Sequence, residues 1–143
     1  MDEVLFMKNH NQYEFGTLNN MKKNILSGGL RTIGKFKKSL KSKPLISVIT
    51  VVFNGEKYIE STIKSVIKQS YDNIEYIIID GGSSDRTIKI IAKYDHKIDY
   101  WISEKDNGIY EAMNKGIALS KGDFIGFLNA DDFLYNNSLI KIA

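Results

Sequence analysis

The 143-residue chain contains no cysteine. Disulfides and thiolate metal sites are therefore excluded, and any bound metal must be held by oxygen or imidazole. Proline occurs once, at Pro44. No apolar stretch is long enough to cross a bilayer. The start, Met1-Asp2-Glu3, lacks the charged segment and apolar run of a secretion signal. A cytoplasmic location is the expectation. No G-x-x-x-x-G-K-[ST] occurs anywhere, which excludes a Walker-type NTPase. The length leaves room for one domain with a real core, or for part of a larger one.

Acidic residues are scarce in the first third. Residues 1–43 carry nine Lys/Arg against three Asp/Glu, a balance of +6, whereas residues 44–143 carry eleven against fourteen, a balance of −3. The excess gathers in RTIGKFKKSLKSK, residues 31–43. Residues 1–43 read as a basic, flexible leader, able to touch anionic lipid at the inner face of the membrane or a nucleic acid by charge alone, or else a solvated arm without a partner. Pro44 marks the border with a second region, residues 44–143.

That second region is strongly patterned. LISVITVVF, residues 45–53, is a β-branched run apolar on both faces, the mark of a central parallel strand. Asn54-Gly55 turns the chain, and Tyr58, Ile59, Ile63, Val66 and Ile67 then recur at helical spacing. A second apolar run, residues 76–79, ends in DGGSSD and opens a short helix to about Lys93. A strand over 98–102, a helix over 109–119 and a strand over 124–128 follow. Such alternation predicts a mostly parallel α/β sheet flanked by helices, with ligands bound beyond the carboxyl ends of the strands. Asn54-Gly55, Asp80 to Asp85, and Asp131-Asp132 all fall at such ends.

Each loop has a chemical and a plain reading. In Asp80-Gly81-Gly82-Ser83, an acceptor at a strand end meets residues free to take positive φ and hydroxyls beside a helix start; it could bind a ribose, or simply turn and cap. Asp106-Asn107-Gly108 precedes the 109–119 helix and is by itself an ordinary turn. Asp131 and Asp132 stand at the exit of an apolar strand, and no Lys or Arg occurs between Lys121 and Lys141. Two adjacent carboxylates repel unless a positive partner sits against them, so a cation is weighed here against an acidic helix start in solvent. Oxygen ligands in this number suit Mg²⁺ or Mn²⁺.

Taken together, ISVITVVFNGEKYIESTIKSVIKQSY, IEYIIIDGGSSDRT, WISEKDNGIYEAMNKGI and GDFIGFLNADD resemble the family 2 glycosyltransferases, inverting enzymes with the Rossmann-like GT-A fold. The similarity runs from about Pro44 to Leu134. It implies that Thr50, Val52 and Asn54 line the nucleotide pocket, that Asp80, Gly81, Gly82 and Ser83 form the loop reading base and ribose, and that Asp106 lies near the sugar. Asp131 would also contact the donor, and Asp131 and Asp132 would hold Mn²⁺ or Mg²⁺ against its diphosphate. The implied partners are a nucleotide-diphosphate sugar and a glycan or lipid-linked acceptor, not nucleic acid, with peripheral membrane contact and homo-oligomerisation as further expectations.

Three departures from the family pattern stand out. Gly81 occupies a position that is often acidic, and Asn129 stands where the metal motif often begins with an acid. No Asp or Glu occurs in the eleven residues after Asp132, so the catalytic base is expected beyond Ala143. The domain is expected to be truncated after the metal motif, leaving an exposed sheet edge. A nucleotide-sugar-binding fragment that needs a partner or the missing C-terminal half is the alternative reading.

Overall fold

A computed structural model of the chain describes residues 6–8 and 25–135. Six strands form one sheet: β1 (Phe6–Lys8), β2 (Leu26–Gly28), β3 (Ile46–Val52), β4 (Ile74–Asp80), β5 (Tyr100–Ser103) and β6 (Phe124–Phe127). Their order is β1-β6-β3-β4-β5-β2. The inner four run parallel and the two outer strands pair antiparallel, β1 with β6 and β2 with β5. Three helices connect the parallel strands: α1 (Ile59–Ile67), α2 (Thr87–Lys93) and α3 (Ile109–Leu119). The chain steps from β3 to β4 to β5 in one direction, then returns through α3 to place β6 on the other side of β3. That reversal creates a crevice beyond the carboxyl ends of the central strands.

The two central strands explain themselves. β3 and β4 are almost wholly buried, consistent with β-branched side chains covered on both faces. Their side chains divide by parity. Ile46, Val48, Val52, Tyr76 and Ile78 pack towards α1 and α2, whereas Ile49, Ile77 and Ile79 pack beneath α3. In α1 the spacing of buried Ile59, Thr62, Ile63 and Val66 gives one inward stripe. In α3 the buried positions are Ala112, Gly116 and Leu119. A Cβ at Gly116 would lie 2.5 Å from Ile49 Cγ2, so the glycine lets α3 settle directly onto β3.

The expected border at Pro44 is not a border in the fold. Residues 25–43 are built onto the same sheet: β2 extends it beyond β5, and basic side chains of the following segment reach its buried carboxylates. Arg31 donates from Nη2 to Glu75 Oε2 at 2.6 Å and from Nη1 to Leu119 O at 2.8 Å. The remaining Glu75 oxygen accepts from Ser47 Oγ (2.5 Å) and from the amides of Lys121 (2.5 Å) and Gly122 (3.2 Å). Lys37 Nζ donates to Asp99 Oδ2 at 3.0 Å and to Ile74 O at 2.5 Å. A buried carboxylate demands such donors, and among the described residues this segment supplies the charged ones that reach Glu75 and Asp99. The rest of the presumed leader, residues 1–5 and 9–24, lies outside the described residues.

Two smaller differences have the same kind of cause. β5 begins at Tyr100 rather than Ile98, because the Asp99 amide turns to Tyr76 O (3.0 Å) and its carboxylate accepts from the Tyr76 amide (2.8 Å). The expected bare edge of β6 carries β1, whose Phe6 ring covers Gly126.

Gly116→Val should push α3 off β3. A branched side chain there overpacks a site with no slack, and a loss of about 1–3 kcal/mol is expected in urea unfolding. A second test concerns Asp99, whose carboxyl burial pushes above the ordinary range while Lys37 opposes the shift. A raised carboxyl value means that the unfolded chain ionises first, so this contribution to stability fades as pH rises from the unfolded value to the folded one. Asp99→Asn lacks that dependence. Its unfolding midpoint should therefore improve relative to the wild type as pH rises through that window, and parallel pH curves would count against the assignment.

Candidate functional site

The loops after β3 and β4 are laced together. Asn54, at the end of β3, adopts φ 49°, a left-handed conformation that asparagine tolerates better than most residues. That turn lets its Oδ1 accept from the Ser84 amide at 2.8 Å while its own amide donates to Ser83 Oγ at 2.8 Å. Gly55 N donates to Thr87 Oγ1 (2.9 Å), and Gly81 N donates to Val52 O (2.9 Å). Asp85 accepts from the Glu56 amide (3.2 Å), the Thr87 amide (2.9 Å) and the Thr87 hydroxyl (2.5 Å). Burial pushes the Asp85 carboxyl up, but the bonds from Thr87 and Glu56 outweigh it and leave it below its ordinary value.

Asp80 is the knot beneath this lacing. It is buried, and its two oxygens accept from Gly82 N (3.1 Å), Ser83 N (2.9 Å), Ser83 Oγ (2.5 Å) and Ser103 Oγ (2.6 Å). Four donors fill the lone pairs of a carboxylate. In this arrangement Asp80 and Ser83 shape the loop and join it to β5.

Above the knot lies a cavity of about 540 Å³, a size suited to a small organic ligand. Val51, Val52 and Phe53 of β3 and its exit, Gly81 and Gly82, Lys105, Asp106 and Gly108, and Ile109 and Ala112 of α3 line it. Asp106 Oδ1 accepts from the Gly108 amide at 3.1 Å, which turns the chain into α3. A Cβ at Gly81 would sit 3.0 and 3.1 Å from the two Asp106 carboxylate oxygens. An acidic side chain at that position would meet a like charge at contact distance. Gly81 is thus matched to Asp106, and Gly82, at φ 87°, takes the left-handed turn that follows. Behind the cavity wall, Lys115 of α3 pairs with Glu104 at 2.6 Å, both nearly buried.

Asp131 and Asp132 stand at the exit of β6, beside the β3–α1 loop. Thr62 Oγ1 of α1 lies 2.6 Å from both Ala130 O and Asp132 O, its one proton shared between the two carbonyls, and the Leu134 amide donates to Ser65 Oγ at 3.0 Å. This strap leaves the Asp131 side chain exposed and that of Asp132 half-buried. Among the described residues neither carboxylate has an ion-pair partner. The described residues also contain no cluster of three His, Cys, Asp or Glu that could hold a metal. Two unpaired oxygen ligands fit a hard divalent cation that keeps water and substrate oxygens for its other positions.

The structure therefore brings Val52, Gly81, Gly82 and Asp106 together around one cavity, with Asn54, Asp80 and Ser83 as its scaffold. Thr50 stands apart. It is buried on the opposite face, hydrogen-bonded to Tyr76 Oη at 2.8 Å. Asp131 and Asp132 lie outside the cavity lining, across the β3–α1 loop from it. Val51, Phe53, Lys105 and Ile109 were not anticipated. The alternation along β3 carried the signal for Val51 and Phe53, which lie on the face opposite Thr50; Val52 shares the face of Val48 and Thr50 and meets the cavity only because it ends the strand.

Residues 47–143 match the family model described as Glycosyl transferase family 2. The chain belongs to this family. The putative teichuronic acid biosynthesis glycosyltransferase TuaG of Bacillus subtilis is 40% identical over 102 residues, covering 69% of this chain and 40% of that protein. The crystal structure of S. aureus TarS 1-349 in complex with UDP-GlcNAc superposes with a TM-score of 0.61 at 28% identity, over 68% of this chain and 29% of that one. The mannosyltransferase PcManGT of Pyrobaculum calidifontis, in complex with GDP-Man and Mn²⁺, shares the fold with a TM-score of 0.63 at 19% identity, over 77% of this chain and 35% of that one. The fold is GT-A. The chain spans 40% or less of the length of the curated relatives it matches.

The lacing yields a direct test. Asp80→Asn places an amide NH₂ among donors that need an acceptor, so stability should fall by about 1–3 kcal/mol in urea unfolding. The sheet should survive, as judged by far-UV circular dichroism.

Proposed function

We propose that the chain supplies the donor-binding part of an inverting glycosyltransferase. It would take a nucleotide-diphosphate sugar and serve the synthesis of a cell-surface polysaccharide or a lipid-linked glycan. The observation that carries this reading is the cavity at the carboxyl ends of β3, β4 and β5, with an unpaired carboxylate pair at the end of the neighbouring β6. Val51, Phe53 and Ile109 offer apolar walls for a base, with Gly81 and Gly82 giving close backbone approach and Asp106 a hydrogen-bond acceptor for the sugar hydroxyls. Asp131 and Asp132 would hold Mn²⁺ or Mg²⁺, which in such sites neutralises the diphosphate as it leaves.

The chemistry asked of the site is one displacement. An acceptor hydroxyl oxygen bonds to the anomeric carbon as the bond to the diphosphate oxygen breaks, the leaving group keeping the electron pair, and the configuration inverts. The hydroxyl proton goes to a carboxylate base expected beyond Ala143. The contribution of this chain is orientation. The fixed loops around Asn54 and Asp80 would hold the donor with no reorganisation, and Asp106 would hold the sugar. The described residues include no helix long and apolar enough to cross a membrane. A cytoplasmic site of action, where nucleotide sugars are made available, belongs to the same proposal.

Calorimetric titration of the full chain with UDP, GDP and dTDP, each with and without Mn²⁺, tests this. One diphosphate should bind, and its affinity should depend on the metal. Asp132→Asn should remove the metal-dependent part and leave the unfolding midpoint unchanged within about 0.5 kcal/mol, as for other surface substitutions. Metal-independent binding would overturn the role of Asp131 and Asp132. Failure of all three to bind a folded chain would overturn the donor site as drawn from these residues alone.

A further inference from the structure

The end of the sheet opposite the crevice carries a surface that the donor site does not use. Residues 31–43 contain six basic side chains and no acidic one. Three of the six are paired: Arg31 and Lys37 turn inwards to the buried Glu75 and Asp99, and Lys43 pairs with Asp72 at the surface. The other three, Lys35, Lys38 and Lys41, are exposed and pair with no acidic side chain among the described residues.

Apolar side chains are interleaved with these lysines. Ile33, Phe36 and Leu40 remain 67%, 50% and 56% exposed, all within eight residues. Lys121, from the α3–β6 connection, sets its ammonium 4.5 Å from the centre of the Phe36 ring and adds a fourth outward cation. A hollow of about 310 Å³ opens beside that ring, walled by Arg31, Phe36, Tyr100, Leu119 and Lys121. The segment is fixed in place. Leu40 and Lys43 exchange backbone hydrogen bonds of 3.1 and 3.0 Å across a tight turn with Lys41 and Ser42 at its tip, and Asn73 Nδ2 donates to the carbonyls of Lys38 and Lys43.

We propose that this surface, Ile33 to Lys41 with Lys121, docks on an anionic lipid bilayer. Unpaired lysines supply attraction to acidic headgroups, and large apolar side chains between them supply insertion at the headgroup boundary. A nucleic acid would satisfy the lysines, yet its sugar-phosphate backbone gives Ile33 and Leu40 nothing to bury against. Soluble domains seldom leave such side chains clustered in water without a use. Arg31 and Lys37 fix the segment on Glu75 and Asp99, so binding requires no ordering of a loose arm. Ile74 and Asp99 stand at the amino ends of β4 and β5, whereas Asp80 and Ser103 stand at the carboxyl ends. The seven residues of β4 separate the two surfaces by roughly 20 Å, and the donor cavity faces away from the bilayer.

Co-sedimentation of the full chain tests this, with vesicles of phosphatidylcholine alone and with vesicles in which phosphatidylglycerol replaces part of it. The chain should bind the mixed vesicles and not the neutral ones, and added salt should release it. Lys35→Glu, Lys38→Glu and Lys41→Glu combined should cut that binding by roughly tenfold or more. Ile33→Ser with Leu40→Ser should also weaken it severalfold, while binding to poly(U) RNA stays as in the wild type. These side chains are exposed and unpaired, so unfolding midpoints should hold; Lys41→Glu alone, at the turn tip, serves if the combined variant unfolds early. Equal binding to both vesicles, no vesicle binding, or full binding by the serine variant would each overturn the proposal. Strong poly(U) binding indifferent to the serines would assign the surface to a nucleic acid instead. Nucleotide binding at the opposite end is unaffected by any of these outcomes.

Discussion

The site depends on a single carboxylate, that of Asp80, saturated by its own neighbours. Parallel strands end in loops whose amides have no ladder partner, and a binding crevice needs those amides fixed without water doing the fixing. Asp80 takes two of them, Gly82 and Ser83, with the Ser83 hydroxyl, and reaches sideways to Ser103 at the end of β5. Ser83 is then positioned to accept from Asn54, which in turn accepts from Ser84. Three strand ends become one rigid rim. Rigidity of that kind is what allows one side of the cavity, at Gly81 and Gly82, to be built from glycine backbone.

β4 carries a second buried carboxylate at its other end, and the comparison is instructive. Glu75 also accepts from neighbouring amides and a serine, but its remaining partner is Arg31, contributed from far away in sequence. A buried ion pair of this kind gives little net stability against an apolar alternative. What it does is determine where a segment lies. Glu75 and Asp99 together hold residues 31–43 against the amino ends of the strands, as Asp80 holds the loops at the carboxyl ends.

Much of this architecture was legible in the amino-acid pattern. The buried strands over 46–52 and 74–80 and the helix over 109–119 follow from β-branched runs, spacing and turn residues, which act locally, whereas the order of strands in the sheet does not. The position of residues 25–43 was not legible, because it rests on ion pairs between residues 44 and 62 positions apart, and charge alone does not reveal a partner at that range. In the site, the residue types at the strand ends were evident, but the face on which each lay was not. Thr50 and Val51 differ by one place in a period of two. Only the packing of α3 against Ile49 and Ile79 decides which of them meets the cavity.

The glycine seat of α3 on β3 carries a consequence for how such a site can diversify. The amino-terminal turn of α3 forms one wall of the cavity, while its middle rests on Ile49 with no room for even a methyl group. The wall cannot retreat, because the helix is held by the core rather than by the loops. A lineage altering its ligand would have to do so by exchanging side chains at Phe53, Lys105 and Ile109, residues that stand outside the core clusters. Selectivity and foldability are thereby left to separate sets of positions, and the first set can vary without endangering the second.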